Sequence, residues 1–310
     1  MPREQDTITP PSVEYSVIIP AYREGDVIHD VIVEIRRVMD SLPKNYEILV
    51  VDDGSGDDTA ERARKAGARV IQHPYNIGNG AAVKTGMRNA RGKVFIHIDA
   101  DGQMDPNDIP RLLEKIGPYD LVIGARSRES DTAAHRDIAN GIFNRLASYT
   151  AGRTIEDLTC GFRVIKAHIA RQFIYLLPNT FSYPSTLTLS IVRAGYSLGF
   201  VPIVVRRRPG HSGSKIKPLR DGMRFLLIIL KISVFFAPLK IFIPLSGLIF
   251  LLGVGYGLFR VLVWHGPYGQ TSALLVSTSI LTFLVGLVSE QIAQLRFDRS
   301  ETQSHPSEDE

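Results

Sequence analysis

A doubly wound, mainly parallel α/β sheet followed by an apolar helical tail is the architecture that this 310-residue sequence predicts. Two observations carry the sheet. Short runs rich in β-branched residues alternate with segments of helical period, and the crossovers between them are long enough for right-handed connections. The third observation carries the tail: long apolar runs dominate from about Leu219 onward, whereas the preceding chain alternates charged and apolar residues.

Residues 1–14 are polar and contain proline, so they read as a disordered start with no signal peptide. Tyr15 to Pro20 is the first strand. Val27, Val31, Ile35 and Val38 then recur at helical spacing between Asp26 and Leu42, and Pro43 closes that helix. The second strand, Tyr46 to Val51, runs into Asp52-Asp53-Gly54-Ser55. Asp57-Asp58-Thr59 supplies N-cap chemistry for a helix reaching Gly67. Ala68 to His73 is the third strand, Asn76-Ile77-Gly78-Asn79-Gly80 a turn, and residues 81–90 a helix. The buried-type run Val94-Phe95-Ile96-His97-Ile98 closes the series, ending in Asp99. Further on, a helix is expected from Thr132 to Ala151 and an edge strand from Val201 to Arg206.

Ligands of open parallel sheets bind beyond the carboxyl ends of the strands, which converts sequence position into place. Glu24, the Asp52-Asp53 pair, Asn76 with Gly78, and Asp99 with Asp101 follow four successive strands and should meet along one rim. Taken alone, Asp99-Ala100-Asp101 is either an acidic turn or a metal seat. If the chain turns there, Asp99, Asp101 and the Gln103 amide converge as oxygen ligands suited to Mg²⁺ or Mn²⁺. A polar end on every strand is more than turns require, and favours a site.

Composition narrows the classes. The net charge of +4 is modest, but Lys215, Lys217, Arg220, Arg224, Lys231 and Lys240 gather just ahead of the apolar tail, where they would face anionic headgroups. No aromatic interleaving or nucleic-acid-binding motif accompanies them, so nucleic acid is not an expected partner. The single Cys160 excludes an intramolecular disulfide and fits a reducing compartment, with a small buried side chain as its ordinary role.

Several motifs in order carry a resemblance. Pro20-Ala21-Tyr22-Arg23-Glu24, then Val50-Val51-Asp52-Asp53-Gly54-Ser55 with Asp57 and Thr59, then Asn76-x-Gly78-x-Gly80, then Asp99-Ala100-Asp101-Gly102-Gln103 with Pro106, resemble the catalytic domain of family 2 glycosyltransferases. Gly124-Ala125-Arg126 and Asp157-Leu158-Thr159-Cys160-Gly161-Phe162-Arg163 resemble its polyprenyl-phosphate branch, which includes dolichol-phosphate mannose synthases and undecaprenyl-phosphate sugar synthases. The resemblance covers residues 15–215 and implies a Rossmann-like, GT-A catalytic domain. It implies a nucleotide-sugar site at Pro20, Tyr22, Glu24, Asp52, Asp53, Lys84 and Asp99, with Asp99, Asp101 and Gln103 as the metal cluster. Lys84 reads equally as a solvated helix charge. Arg23 departs from the family, which usually has Asn there; it either perturbs the first turn or contacts a phosphate.

On the acceptor side the resemblance implies Arg126 and Arg136 as ligands of a lipid phosphate, whose oxygens suit the planar guanidinium fork. Arg128 and Arg145 read as solubilising surface charges. Asp157 falls where inverting members place an acidic residue, and together with Arg126 it forms the expected catalytic pair. A phosphate monoester, with a second pKa of about 6, is already ionised near neutrality, so Asp157 is expected to position or act as a weak base. The family's basic closing loop matches here in two registers, giving Arg208, Ser214 and Lys215 as expected phosphate contacts.

In the tail, residues 216–238 mix a basic stripe with Phe225, Leu226, Ile229, Ile232 and Phe236, as an interfacial helix does. Ile241 to Phe259 offers about nineteen uncharged residues, enough to span a bilayer, and Ser272 to Ile292 is a second candidate. Two transmembrane helices are therefore expected within 239–293, and a disordered cytoplasmic tail over 294–310. Charges before Ile241, and Arg296 with Arg299 after the second span, place the catalytic domain and both termini in the cytoplasm, on the cytoplasmic membrane. Two isolated spans also favour homo-oligomers.

The combined expectation is metal-dependent, inverting transfer of one sugar from a nucleotide-diphosphate sugar to a polyprenyl phosphate. The alternative is an idle membrane module that binds lipid phosphate or a partner protein. The sugar and the choice between uridine and guanine are open at this level.

Overall fold

The computed structural model describes residues 13–127, 141, 144–149, 151–180, 182–206, 234 and 236–302, with side chains of the final helix described to Leu295. The described residues form two compact units, one holding the chain to Asn144 and again from Ile155 through Arg206, the other holding 145–154 and the apolar tail.

The first unit is a seven-stranded sheet. Its elements run β1 (Tyr15–Ala21), α1 (Ile28–Asp40), β2 (Tyr46–Asp52), α2 (Thr59–Lys65), β3 (Arg69–Gln72), α3 (Asn79–Asn89), β4 (Val94–His97), α4 (Ile109–Glu114), β5 (Leu121–Arg126), β6 (Arg163–Lys166), α5 (Ala167–Gln172), α6 (Tyr183–Arg193) and β7 (Leu198–Ile203). The strand order is β3-β2-β1-β4-β6-β5-β7. β1 pairs in parallel with β2 on one side and β4 on the other, so the strand order reverses at β1, and a crevice opens beyond its carboxyl end. The register sets Ala21 beside Asp52 and Ile18 beside His97, which brings the acidic strand ends to one rim.

The core explains the apolar runs. Val17, Ile18, Ile19, Leu49, Val50, Val51, Phe95 and Ile96 are fully buried, as expected of strands covered on both faces. Ile28, Ile32, Ile35 and Met39 of α1 are buried with them, on one stripe of that helix.

Several boundaries differ from the sequence reading. β4 ends at His97 rather than Asp99, though Ile98 still donates to the Ile18 carbonyl at 3.3 Å. Glu14 is already anchored, donating to the Asn45 carbonyl at 2.9 Å. The edge strand is Leu198–Ile203, earlier than Val201 to Arg206. Gly199 and Pro202 disguise it, and an outermost strand tolerates both because one side needs no ladder bond. β6 is antiparallel to β4 and β5, a reversal that the helical alternation did not signal. Both ends of the 127–162 connection lie at the same rim, where Gly124 N–H donates to the Phe162 carbonyl at 3.0 Å, so the returning strand must run the other way.

In the second unit, α7 (Pro238–Leu262) and α8 (Gln270–Thr302) pack against each other. Spans of 25 and 26 residues with mean hydropathy 2.1 and 2.0 make both long and apolar enough to cross a bilayer. Small residues allow the approach: Gly253 faces Leu275 and Val276, and Gly286 faces Phe242. Helix α8 continues to Thr302, past the boundary expected at 293. Beside the start of α7, Lys240 Nζ donates to the Tyr149 carbonyl at 2.9 Å, and Tyr149 Oη donates to the Lys240 carbonyl at 3.2 Å. Residues 144–149, within the helix expected from Thr132 to Ala151, are helical. The expected disordered stretch 1–12, the first part of that expected helix at 132–140, most of the interfacial segment 216–238, and the end of the tail at 303–310 lie outside the described residues.

Ile18 sits at the centre of this packing with no exposure. Ile18→Ala should destabilise the first unit by about 2–5 kcal/mol, read as a lowered thermal midpoint of the purified protein.

Candidate active site

At the carboxyl ends of the parallel strands lies a cavity of about 370 Å³. Its lining comes from four segments: Pro20 and Ala21 at the end of β1 with Tyr22 and Glu24 beyond it, Asp53 after β2, Asn76, Gly78, Asn79 and Ala82 around the start of α3, and Asp99 to Asp101 after β4. Among the described residues four carboxylates line it and no lysine or arginine does.

The two aspartates after β2 face different surroundings. Asp52 is buried, accepting from Ser55 N–H at 3.1 Å, from the Ser55 hydroxyl, and from Gln72 Nε2 at 3.1 Å. It shapes the turn behind the cavity and is absent from its lining. Asp53 lines the cavity, yet its oxygens accept from Ile77 N–H at 3.1 Å and Gly78 N–H at 2.8 Å, and contact His73 Nδ1 at 2.7 Å. His73 Nε2 lies 2.9 Å from Thr85 Oγ1, completing a chain from α3 to the rim. Gly78 has φ +125°, and a Cβ there would meet the Asn179 carbonyl oxygen at 2.5 Å, so only glycine fits.

Lys84 is held by oxygens of a distant segment. Its ammonium donates to the Leu177 carbonyl at 3.1 Å and to the Asn179 side chain, tying α3 to the 177–179 segment away from the cavity lining. Burial and the Arg88 charge lower its pKa. Arg23 adopts φ +58°, a left-handed conformation that Asn accepts more readily, and its N–H donates to Ser55 Oγ at 2.9 Å. Its guanidinium lies 5.3 Å from the centre of the Tyr22 ring.

Asp99 and Asp101 are the electrostatic centre. Burial, then repulsion by Asp101, pushes the Asp99 carboxyl up to about 6, and the charges of Arg163 and Arg126 offset only part of this. Asp101 Oδ1 accepts from Gln103 N–H at 3.1 Å. Gln103 itself lies outside the cavity lining, where its Nε2 donates to the Arg206 carbonyl at 3.1 Å and its carbonyl accepts from Arg206 N–H at 2.8 Å. Among the described residues no three His, Cys, Asp or Glu side chains form a closed metal cage. Two mutually repelling carboxylates on a cavity with no cationic lining among the described residues nevertheless fit a hard divalent cation, which Mg²⁺ and Mn²⁺ sites commonly complete with substrate phosphates and water.

Beside this rim, Arg126 at the end of β5 grips Asp157 in a fork, with Nε 2.7 Å from Oδ2 and Nη2 2.8 Å from Oδ1. Arg126 N–H also donates to Oδ2 at 3.2 Å, and the Thr159 and Cys160 N–H groups each donate to Oδ1 at 3.1 Å. Burial alone would raise the Asp157 carboxyl, but the Arg126 ion pair and these N–H groups outweigh it and hold it below the ordinary carboxylate range. Every lone pair of Asp157 is engaged, which makes it a fixed anion and a poor base. Arg136, Arg208, Ser214 and Lys215 lie outside the described residues.

The sequence reading missed His73 and Thr85, and gave Gly161 and Arg163 no role beyond the motif that contains them. It also missed His97, whose imidazole is fully buried with both nitrogens unpartnered and pushed down to about 3 by burial and the Arg163 charge. His73 and His97 could be marked only by their places at or near strand ends.

Residues 16–174 match the model of glycosyl transferase family 2, and the chain belongs to that family. It is therefore a glycosyltransferase. Residues 237–295 match the GtrB C-terminal hairpin. The chain is 29% identical over 295 residues to the undecaprenyl-phosphate 4-deoxy-4-formamido-L-arabinose transferase of Klebsiella pneumoniae (strain 342), covering 89% of this chain and 85% of that one. It is 25% identical over 302 residues to the dodecaprenyl-phosphate galacturonate synthase of Rhizobium johnstonii, covering 91% and 88%. The glucosyl-3-phosphoglycerate synthase of Mycobacterium tuberculosis, solved with Mn²⁺ and uridine-diphosphate-glucose, shares the fold at a TM-score of 0.55 and 22% identity, covering 70% of this chain and 79% of that one.

The depressed Asp157 carboxyl contributes stability that is complete above the unfolded carboxylate pKa of about 4 and is lost as pH falls below it. Asp157→Asn should lower the thermal midpoint at pH 7 and flatten its decline between about pH 5 and pH 2, compared with wild type, in melts across that range.

Proposed function

We propose that the protein transfers one sugar from a nucleotide-diphosphate sugar to a polyprenyl phosphate at a membrane surface, with a divalent metal at Asp99 and Asp101. The observation that carries this is the juxtaposition of a cavity whose charged lining among the described residues is carboxylate with the Arg126–Asp157 ion pair beside it. An enzyme joining two phosphate-bearing substrates needs positive charge for each. On the donor side, carboxylates alone would repel a diphosphate, so Asp99 and Asp101 are read as metal ligands. A cation bound there would neutralise the diphosphate as it leaves.

The chain's own residues complete the donor site. Tyr22, half-exposed at the mouth, offers an aromatic face, and Asp53 is held rigid by His73 and the 77–78 backbone. On the acceptor side, Asp157 fixes the Arg126 fork so that the guanidinium presents its charge without rotamer freedom. An oxygen of the lipid phosphate attacks the anomeric carbon, and the bond from that carbon to the diphosphate oxygen breaks. The nucleoside diphosphate leaves with the electron pair. The phosphate nucleophile is ionised at neutral pH, so no base is required, in keeping with an Asp157 already saturated by hydrogen bonds. With no free carboxylate placed as a covalent nucleophile on that side among the described residues, a single displacement inverts the centre.

The two apolar helices support attachment to the bilayer that holds the polyprenyl chain, and the basic residues beside them support a cytoplasmic orientation of the catalytic unit and both termini. Relatives named for undecaprenyl-phosphate and dodecaprenyl-phosphate substrates support the same acceptor class.

Asp101→Ala should abolish metal-dependent turnover, as EDTA does to wild type, while the protein stays folded and membrane-bound. Turnover of labelled nucleotide sugar into chloroform-soluble product measures this, and retained activity would overturn the metal assignment.

A further inference from the structure

Arg163 opens β6 and has no exposure, which makes it the largest fully buried side chain of the described residues. A guanidinium so deeply buried is expensive unless its charge or its geometry is needed. Among the described residues no carboxylate forms an ion pair with it. Its fork instead clamps backbone: Nε and Nη2 both donate to the Cys160 carbonyl, the former at 3.2 Å, while Nη1 donates to the Pro184 carbonyl at 2.9 Å and Thr188 Oγ1 at 3.0 Å.

The clamped peptide lies between the two halves of the site. Cys160 N–H donates to Asp157 Oδ1 at 3.1 Å. The Gly161 backbone rests against Asp99, since a Cβ there would meet Oδ2 at 2.6 Å and Oδ1 at 3.0 Å. One short loop therefore touches both the carboxylate read as a metal ligand and the carboxylate that fixes Arg126. Asp99 also feels the Arg163 charge more strongly than any other positive charge.

We propose that Arg163 is a positioning residue whose fork sets the Cys160-Gly161 peptide and thereby holds Asp99 and Asp157 in register, coupling the metal side of the site to the acceptor side. This rests on the proposed function and deepens it. It also gives a reason for glycine at position 161, where any side chain would displace Asp99.

The test uses the full-length protein in lipid nanodiscs, with Mn²⁺ alone titrated by the paramagnetic resonance signal of the free ion, and radiolabelled undecaprenyl phosphate titrated separately. Arg163→Gln should weaken both affinities by about 10–100-fold, the range typical of groups that orient metal ligands. Gly161→Ala should weaken Mn²⁺ binding by a similar factor, and leave undecaprenyl phosphate binding within about twofold. Thr188→Val, which removes a different partner of the same guanidinium, should lower the thermal midpoint and leave both affinities in place. Arg163→Gln that folds and keeps both affinities overturns the inference, as does Thr188→Val reproducing the full loss. Should Arg163→Gln not fold, unchanged Mn²⁺ affinity in Gly161→Ala overturns it. Asp101→Ala serves as the reference: if it retains Mn²⁺, the underlying metal assignment fails, whatever the Arg163 variants do.

Discussion

The repulsion between Asp99 and Asp101, one residue apart beside a cavity with no cationic lining among the described residues, is the constraint around which the catalytic unit is arranged. Two carboxylates kept that close need either a proton or a cation, and burial makes the choice sharper by strengthening every charge interaction. The parallel register imposes the closeness: β1 lies between β2 and β4, and their carboxyl ends deliver acidic residues to one crevice. The sheet supplies the rigidity, because its strands are buried on both faces and leave no room for the rim to relax.

The acidic residues of the rim are not equivalent, and hydrogen bonding separates them. Asp52 and Asp53 are occupied by N–H groups, Gln72 and His73, so their first work is to shape turns. Asp157 is occupied by Arg126 and two N–H groups. Asp99 differs, lying against the bare backbone of Gly161 with its pKa raised. Hydrogen bonding thus separates Asp52, Asp53 and Asp157, each held by N–H donors, from the repelling pair Asp99 and Asp101.

Much of this was legible in the sequence. The alternation of β-branched runs with helical periods located β1 to β4 within a few residues, because those elements are local and strongly patterned. The placing of Glu24, Asp53, Asp99 and Asp101 on one cavity followed from the strand-end rule. What escaped depends on long-range pairing. The reversal of β6 is set by where the 127–162 connection returns, and the edge strand begins at Leu198 rather than Val201 because pairing with Leu121 fixes its start. The partners of Lys84, Leu177 and Asn179, lie far along the chain, where no local pattern shows them. Gln103 likewise turns its amide nitrogen to Arg206 through a contact no local pattern encodes. The weight of Arg163 was hidden because a buried arginine and an exposed one are spelled alike.

Single-sugar transfer onto a lipid phosphate is decided by the mass of the product. Protein reconstituted with undecaprenyl phosphate and a broad panel of nucleotide-diphosphate sugars is analysed by mass spectrometry of the lipid fraction. At least one donor should yield undecaprenyl phosphate bearing a single sugar, with nucleoside diphosphate released one for one. Lipid product absent with every donor, or lipid extended by several sugar units, would rule single-sugar transfer out.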